Sequence, residues 1–377
     1  MQYKNKNRKL GLSGLMRVKN EAQTLSQSID SCIDALDELI ITYHECTDGS
    51  VQIIENKKLQ YPNKILVIPY PYHVIGVGAT QEEYEYAKTL PIGHPQLLAT
   101  YYNNALQYVN YKYVMKIDAD QIYFSEDLKE LRDSIVNGVH QNRLARLCGK
   151  VVNVFCQKRG NKRIWSKWHL VHWLQYIVVP LFRKQYMDYA VSELLKGNGY
   201  LSLSGVNVLR YKGQWFAPLG YKFAESSFRY ERIPDDMVWP YNGLGDHLVF
   251  EANEKTDFYP LDFQIPLTLD KRVLIECFRC PQGNRYILGL YWFHFKPMRE
   301  ISNNQNILYY LKEHSVTLVP IGQLGRVSFG HFMKFLDETR EDYYIKRNYY
   351  NFVHNLGKRE VRIYSGLLKR INYGKAS

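Results

Sequence analysis

The sequence predicts an α/β fold in which a mainly parallel sheet carries helices on both faces, and three observations predict it. Short apolar segments that read as strands alternate with amphipathic helical segments through the first third of the chain. Those strands are continuous Val, Ile and Leu runs rather than alternating ones, as strands buried on both faces are. With 377 residues, 46% of them hydrophobic and 14% aromatic, the chain is long enough to bury such a sheet.

The elements follow in order. GLSGLMRV (residues 11–18) reads as the first strand, and the helix expected over 20–36 places Leu25, Ile29, Ile33 and Leu36 on one face. ELIITYH (38–44) is the second strand and completes a βαβ unit. Thr47 or Asp48 is placed to cap the next helix, KILVIP (64–69) is the third strand, HPQLLATYYNNALQYV the following helix, and KYVMKID (112–118) the fourth strand. Residues 70–93 read as a long irregular loop, of the kind that is usually functional. Beyond residue 126 the alternation weakens. Helices around SKWHLVHWLQYIVVPLFRKQYMDYAVSELL, a strand pair YLSLSG and VNVLRYK, and a helical, basic segment from about residue 300 are expected there. The implied divisions are 1–125, 126–300 and 301–377.

Charge narrows the partners. Lys and Arg number 49 against 37 acids, a formal net charge of +12, which favours anionic partners such as nucleotide diphosphates, anionic lipid or nucleic acid. No RNA-binding or helix-turn-helix signature accompanies the charge, and the basic residues are spread along the chain, so nucleic acid is not expected as a partner. The N-terminus has no continuous apolar segment and no small-residue cleavage site, and the most apolar run, Leu170 to Phe182, is shorter than the roughly 20 residues that a spanning helix needs. A cytoplasmic protein is expected, with peripheral contact at the inner face of the cytoplasmic membrane. Of the six cysteines, Cys277 and Cys280 form a C-x-x-C pair without a second pair to complete a zinc site, so free thiols are expected.

The chemistry centres on Asp118 and Asp120. In an open α/β sheet, ligands bind beyond the carboxyl ends of the strands, where these acids and the HECTDGS turn both fall. Two carboxylates at i and i+2 can turn toward one Mg²⁺ or Mn²⁺ that in turn holds a diphosphate. A D-x-D triplet also arises by chance, in which case it is a solvated turn followed by a helix cap at Ser125.

Its context is specific. GLMRVKNEAQTLSQSIDSCIDALDELIITYHECTDGS, followed by the strand ending in D-x-D, resembles the nucleotide-sugar-binding half of GT-A glycosyltransferases, especially the family 2-like enzymes of bacterial surface polysaccharide synthesis. The resemblance covers residues 11 to about 125. It implies a nucleotide diphosphate sugar donor, a glycan or lipid-linked acceptor, and Mn²⁺ or Mg²⁺ as cofactor. It assigns donor contacts to Arg17, Lys19, Asn20 and Glu21 after the first strand, to Glu45 and Asp48 after the second, and to Asn103 and Asn104 on the helix before the D-x-D. Asp118 is implied at the ribose or donor sugar as well as the metal, and Asp120 as the more direct metal ligand. His294 is implied to complete the metal site, and Lys296 to face the diphosphate. A nucleotidyltransferase is the rival enzyme, but GLSGLMRVKNEA lacks its glycine-rich basic signature.

An inverting transferase also needs a general base near the acceptor hydroxyl. Asp235 and Asp236, after Pro234, are the candidates, with helix capping as their alternative role; Asp246 and His247 form a second candidate pair. The Trp165, Trp168 and Trp173 group, with Lys162, Arg163, Lys167 and Arg183, reads equally as core, as a sugar-stacking surface or as a lipid contact.

Overall fold

The computed structural model of the protein describes residues 8–157, 182–219, 241–264, 272–281, 283–295, 308–309, 312 and 317–320. Its centre is an eight-stranded sheet in the order β3-β2-β1-β4-β9-β6-β12-β5. The first four are β1 (Lys9–Val18), β2 (Glu38–Tyr43), β3 (Ile65–Pro69) and β4 (Tyr111–Asp118), all parallel. The remainder are β5 (Gln121–Tyr123), β6 (Tyr200–Asn207), β9 (Tyr241–Glu251) and β12 (Arg285–His294). β9 runs antiparallel between β4 and β6, β12 lies parallel to β6, and β5 runs antiparallel along β12. The sheet is mainly parallel, as expected, and strands from the second half of the chain complete it.

Side-chain alternation along β4 shows how the sheet is buried on both sides. Tyr113, Met115 and Ile117 face a core shared with α1 (Leu25–Cys32), α2 (Ser50–Gln60), α5 (Ser125–Asn137) and α7 (Arg183–Leu195), through residues such as Ile29, Ile54, Leu131 and Leu194. Val114 faces the opposite core, built by α4 (Leu98–Leu106) and by a hairpin of β10 (Asp257–Gln264) and β11 (Arg272–Arg279). That second face is therefore covered by one helix and a hairpin rather than by helices alone. Lys116, on the same side as Val114, is buried there with its ammonium 2.6 Å from Glu276 of β11 and 5.0 Å above the Tyr102 ring.

Local differences from the sequence reading have local causes. The first helix begins at Leu25, five residues later than expected, because Asn20 turns the chain with φ 57° and its side-chain oxygen accepts from the Thr47 backbone at 2.7 Å. Residues 33–35 tighten into a 3₁₀ turn. The stretch 70–93 contains α3 (Gln81–Thr89), nucleated by a capping box in which the Thr80 hydroxyl accepts from the Glu83 N–H and Glu83 accepts from the Thr80 N–H. Ser125 does not cap α5; the cap position is Phe124, and the Ser125 hydroxyl donates to the Ser31 carbonyl at 2.7 Å. YLSLSG continues as one strand through Asn207, while β7 (Leu209–Tyr211) pairs with β8 (Gln214–Leu219) in a separate small sheet. The expected helical C-terminal segment contributes a strand to that sheet, β13 (Thr317–Pro320). α6 (Arg143–Gln157) precedes the tryptophan group, which lies outside the described residues, as does most of 301–377.

No helix of the described residues is long and apolar enough to cross a membrane. Cys32, Cys46, Cys148, Cys277 and Cys280 are free thiols.

Candidate active site

Parallel pairing of β1 with both neighbours aligns Arg17 with Thr42 on one side and with Asp118 on the other. The carboxyl ends of three strands therefore open onto one edge. There an open cleft of about 450 Å³ is lined by Arg17, Val18, Lys19, Glu21, His44, Tyr101, Asp118, Ala119 and Asp120. Tyr101 comes from α4 and packs edge-on to His44 at 5.3 Å.

Each acid of the D-x-D has its own histidine. Asp118 Oδ2 lies 2.9 Å from Nε2 of His247 on β9, and Asp120 Oδ2 lies 3.0 Å from Nε2 of His294 at the end of β12. Nδ1 of His294 is 2.6 Å from the Asn207 side chain, so both of its ring nitrogens are engaged. His247 is 1% exposed. Burial disfavours the Asp118 carboxylate, yet the His247 imidazole, the Lys116 ammonium and the Arg17 guanidinium outweigh it and hold the carboxyl well below the ordinary range. Its second oxygen, Oδ1, is buried without a hydrogen-bond partner.

Glu21 adds a third carboxyl. Burial, and then the nearby charges of Asp120 and Asp118, push it up to about 8, against the smaller opposing effect of Arg17. It is therefore mostly protonated at neutral pH, and its Oε2 is also buried without a partner. Arg17 lies over the Tyr102 ring at 5.4 Å. Lys19 at the rim pairs with Glu45 at 3.3 Å.

The structure brings Arg17, Lys19, Glu21, Asp118 and Asp120 together at one cleft, with His294 holding Asp120. It places five of the other expected donor contacts differently. The Asn103 amide is spent on the backbone of Phe258, donating to its carbonyl at 2.7 Å and accepting from its N–H at 2.9 Å, which anchors the β10–β11 hairpin to α4. Asn104 is half-buried and does not line the cleft. Asp48 accepts from the backbone N–H groups of Ala22 and Ser50 at 3.0 and 2.9 Å and so fastens the β1 turn to the start of α2. Asn20 is part of the same fastening. Glu45, with φ 43°, stands at the rim and pairs with His73 at 2.8 Å. Asp235, Asp236 and Lys296 lie outside the described residues. His44 and Tyr101 were not foreseen in the site; His44, directly before Glu45 in the HECTDGS turn, was the available signal.

Residues 2–142, just over a third of the chain, match the family described as Beta-1,4-N-acetylgalactosaminyltransferase (CgtA). That match covers β1 to β4, the parallel strands of the sheet. No curated protein matches the sequence significantly. Among solved structures, glucosyl-3-phosphoglycerate synthase from Mycobacterium tuberculosis, in complex with Mn²⁺, uridine diphosphate and glucosyl-3-phosphoglycerate, is 18% identical over 31% of this chain and 35% of its own, with a TM-score of 0.19. The chain thus spans about a third of that synthase. S. aureus TarS (1–349) is 10% identical over 96% of this chain and 81% of its own, with a TM-score of 0.28.

For the divalent cation implied by a GT-A D-x-D, the donor chemistry at this edge fits. Asp118 directs an unpartnered buried carboxylate oxygen, a hard donor suited to Mg²⁺ or Mn²⁺. Among the described residues no three His, Cys, Asp or Glu side chains form a cage. A cation held here would complete its shell from a diphosphate, as Mg²⁺ in nucleotide sites usually does.

Proposed function

We propose that the protein transfers a sugar from a nucleotide diphosphate sugar to a hydroxyl of a glycan or lipid-linked acceptor in bacterial surface polysaccharide synthesis, with inversion at the anomeric carbon. The observation that carries this reading is the cleft itself, where Asp118 and Asp120 face Arg17 and Lys19 at the carboxyl edge of the parallel strands, within the residues that match the transferase family. A purely anionic pocket would repel a diphosphate. Here Arg17 at the end of β1, Lys19 just beyond it and a cation that the D-x-D acids would hold offset its charge.

Asp118, Asp120 and the neighbouring His294 are assigned to the divalent ion, which when bound stabilises the charge on the departing diphosphate. Arg17 and Lys19 orient the phosphates, and Lys296 is assigned to the same charge. The acceptor oxygen forms its bond to the anomeric carbon as the bond from that carbon to the diphosphate oxygen breaks, and the hydroxyl proton passes to Asp235 or Asp236. Residues 126–300 supply this acceptor side. Glu21, protonated at neutral pH, can donate a hydrogen bond to a phosphate or hydroxyl oxygen. The family name makes UDP-N-acetylgalactosamine the first donor to try.

Thermal unfolding of the full chain with a panel of nucleoside diphosphates and nucleotide sugars, in Mn²⁺, Mg²⁺ or EDTA, tests the reading. One nucleotide is expected to raise the melting temperature only with metal, and Asp120→Ala to abolish the rise. No shift with any nucleotide under any metal condition would remove the reading's support.

A further inference from the structure

His247 lies 129 residues from Asp118 in the chain, on β9 directly before the buried Leu248, Val249 and Phe250, and its ring is aimed at that carboxylate. Nε2 is 2.9 Å from Asp118 Oδ2 and 2.6 Å from the Gln121 side-chain amide. Gln121 in turn hydrogen-bonds the Tyr123 hydroxyl at 2.6 Å, and that hydroxyl accepts from the Asp118 backbone N–H at 3.1 Å. Asp118 is thus held at its side chain by the His247 ring and at its backbone by Tyr123, with Gln121 packed between those two. The ring has no room to turn away, because it packs on Trp292 at 4.5 Å, and Trp292 is itself fully buried. Gly205 on β6 makes that packing feasible, since a Cβ there would collide with the indole ring.

A histidine that merely filled the core would be expected to spend both ring nitrogens on neighbours. Here Nδ1 is buried without a partner, and Nε2 meets the acid that ends β4. The grip is also one-sided: Oδ2 is held while Oδ1 is left without a partner. We infer that His247 is a positioning residue for the donor site, locking Asp118 in the rotamer that presents Oδ1 to the metal-bound nucleotide. It touches neither nucleotide nor acceptor. It acts through Asp118, in the way that outer partners orient the acids of metal and phosphate sites. The inference rests on the donor-site reading above and assigns a residue from the second half of the chain to it.

The test is calorimetric titration of the full-length protein with UDP in excess Mn²⁺. His247→Leu, which keeps the bulk and removes the donor, is expected to weaken UDP binding about 10- to 100-fold. His247→Gln, whose amide N–H can reach Oδ2, is expected to bind within about threefold of wild type, and the shorter His247→Asn to resemble the leucine variant. In an Asp118→Asn background the leucine change is expected to add less than about twofold, because the group it positions is gone. All three single variants lower the melting temperature, so a structural role alone predicts affinities that follow stability rather than the reach of the donor. Wild-type affinity in His247→Leu and His247→Asn overturns the positioning role and leaves the donor site standing. If the leucine variant does not fold, the contrast between Gln and Asn decides in the same way. A wild-type protein that binds no UDP with Mn²⁺, while other nucleoside diphosphates also fail, overturns both readings.

Discussion

Asp118 and Asp120 are two residues apart in the chain and sit in unlike surroundings. Asp118 is seated over the buried Lys116, clasped by a histidine that is 1% exposed, and fixed through its backbone by Tyr123. Asp120 is past the end of β4, and its histidine ends β12, 12% exposed at the side chain and braced by Asn207. The inner acid ends the sheet and the outer one stands in the turn beyond it, yet their side chains are similarly covered, 21% and 16% exposed. The difference teaches that a short motif can draw its supports from separate strands: the inner acid is held from β9 and the outer one from β12.

Asp120→Ala is the largest test of this division. Activity is expected to fall by about a thousandfold or more, equivalent to about 4 kcal/mol, with a melting temperature close to wild type, because little of the fold rests on Asp120. Initial rates with UDP-N-acetylgalactosamine and a thermal scan check it; a large loss of stability would erase the contrast between the acids. Lys116→Met comes next and should act on the inner acid's side alone. It leaves Glu276, 7% exposed at its side chain, as an unpaired buried carboxylate, and breaking such a pair costs about 3 to 5 kcal/mol. Urea unfolding of Lys116→Met beside Lys116→Met/Glu276→Leu checks this, and the double variant is expected to recover most of the loss.

What could be read from the sequence was what neighbours in the chain decide. The strands, the first βαβ unit and the D-x-D at a strand end were legible because periodicity and turn residues are local signals. Of the acids' partners, 129 and 174 residues away, His294 was expected at the site only through the family resemblance, and the pairing of His247 with Asp118 was not read at all, since the sheet order alone brings it in. Asn103 shows the converse error. It stands on the right helix for a donor contact, but its amide is taken by Phe258, 155 residues on, which no local pattern reveals. The helix expected at residue 20 starts at Leu25 for a related reason: Asn20 and Glu21 serve the neighbouring turn through Thr47 and Ser50 before the helix can begin.

A second difference separates the floor of the cleft from its rim, and pH discriminates them. His44 on the floor is 6% exposed; burial and then the charge of Lys19 lower its pKa to about 4, with Glu45 opposing. The folded state therefore resists protonating it while the unfolded chain accepts a proton near 6.5. Its contribution to stability is complete above about 6.5 and is lost as pH falls toward 4, at most about 3 kcal/mol in all. Urea unfolding from pH 7 to 4 is expected to show this slope, and His44→Asn to flatten it. The rim behaves otherwise. His73 sits between Glu45 at 2.8 Å and Glu83 at 3.3 Å, linking the turn after β2 to the capping box of α3, but all three side chains are well exposed. Ion pairs in such surroundings are screened by solvent and salt, so His73→Ala is expected to keep the melting temperature within about 2 °C of wild type. Its effect should appear instead as faster amide exchange in α3, where releasing Glu83 from the latch leaves the capping box as the sole tie at that end. Unchanged exchange in α3 would mean that the rim latch restrains nothing, and that the cleft is shaped by its floor alone.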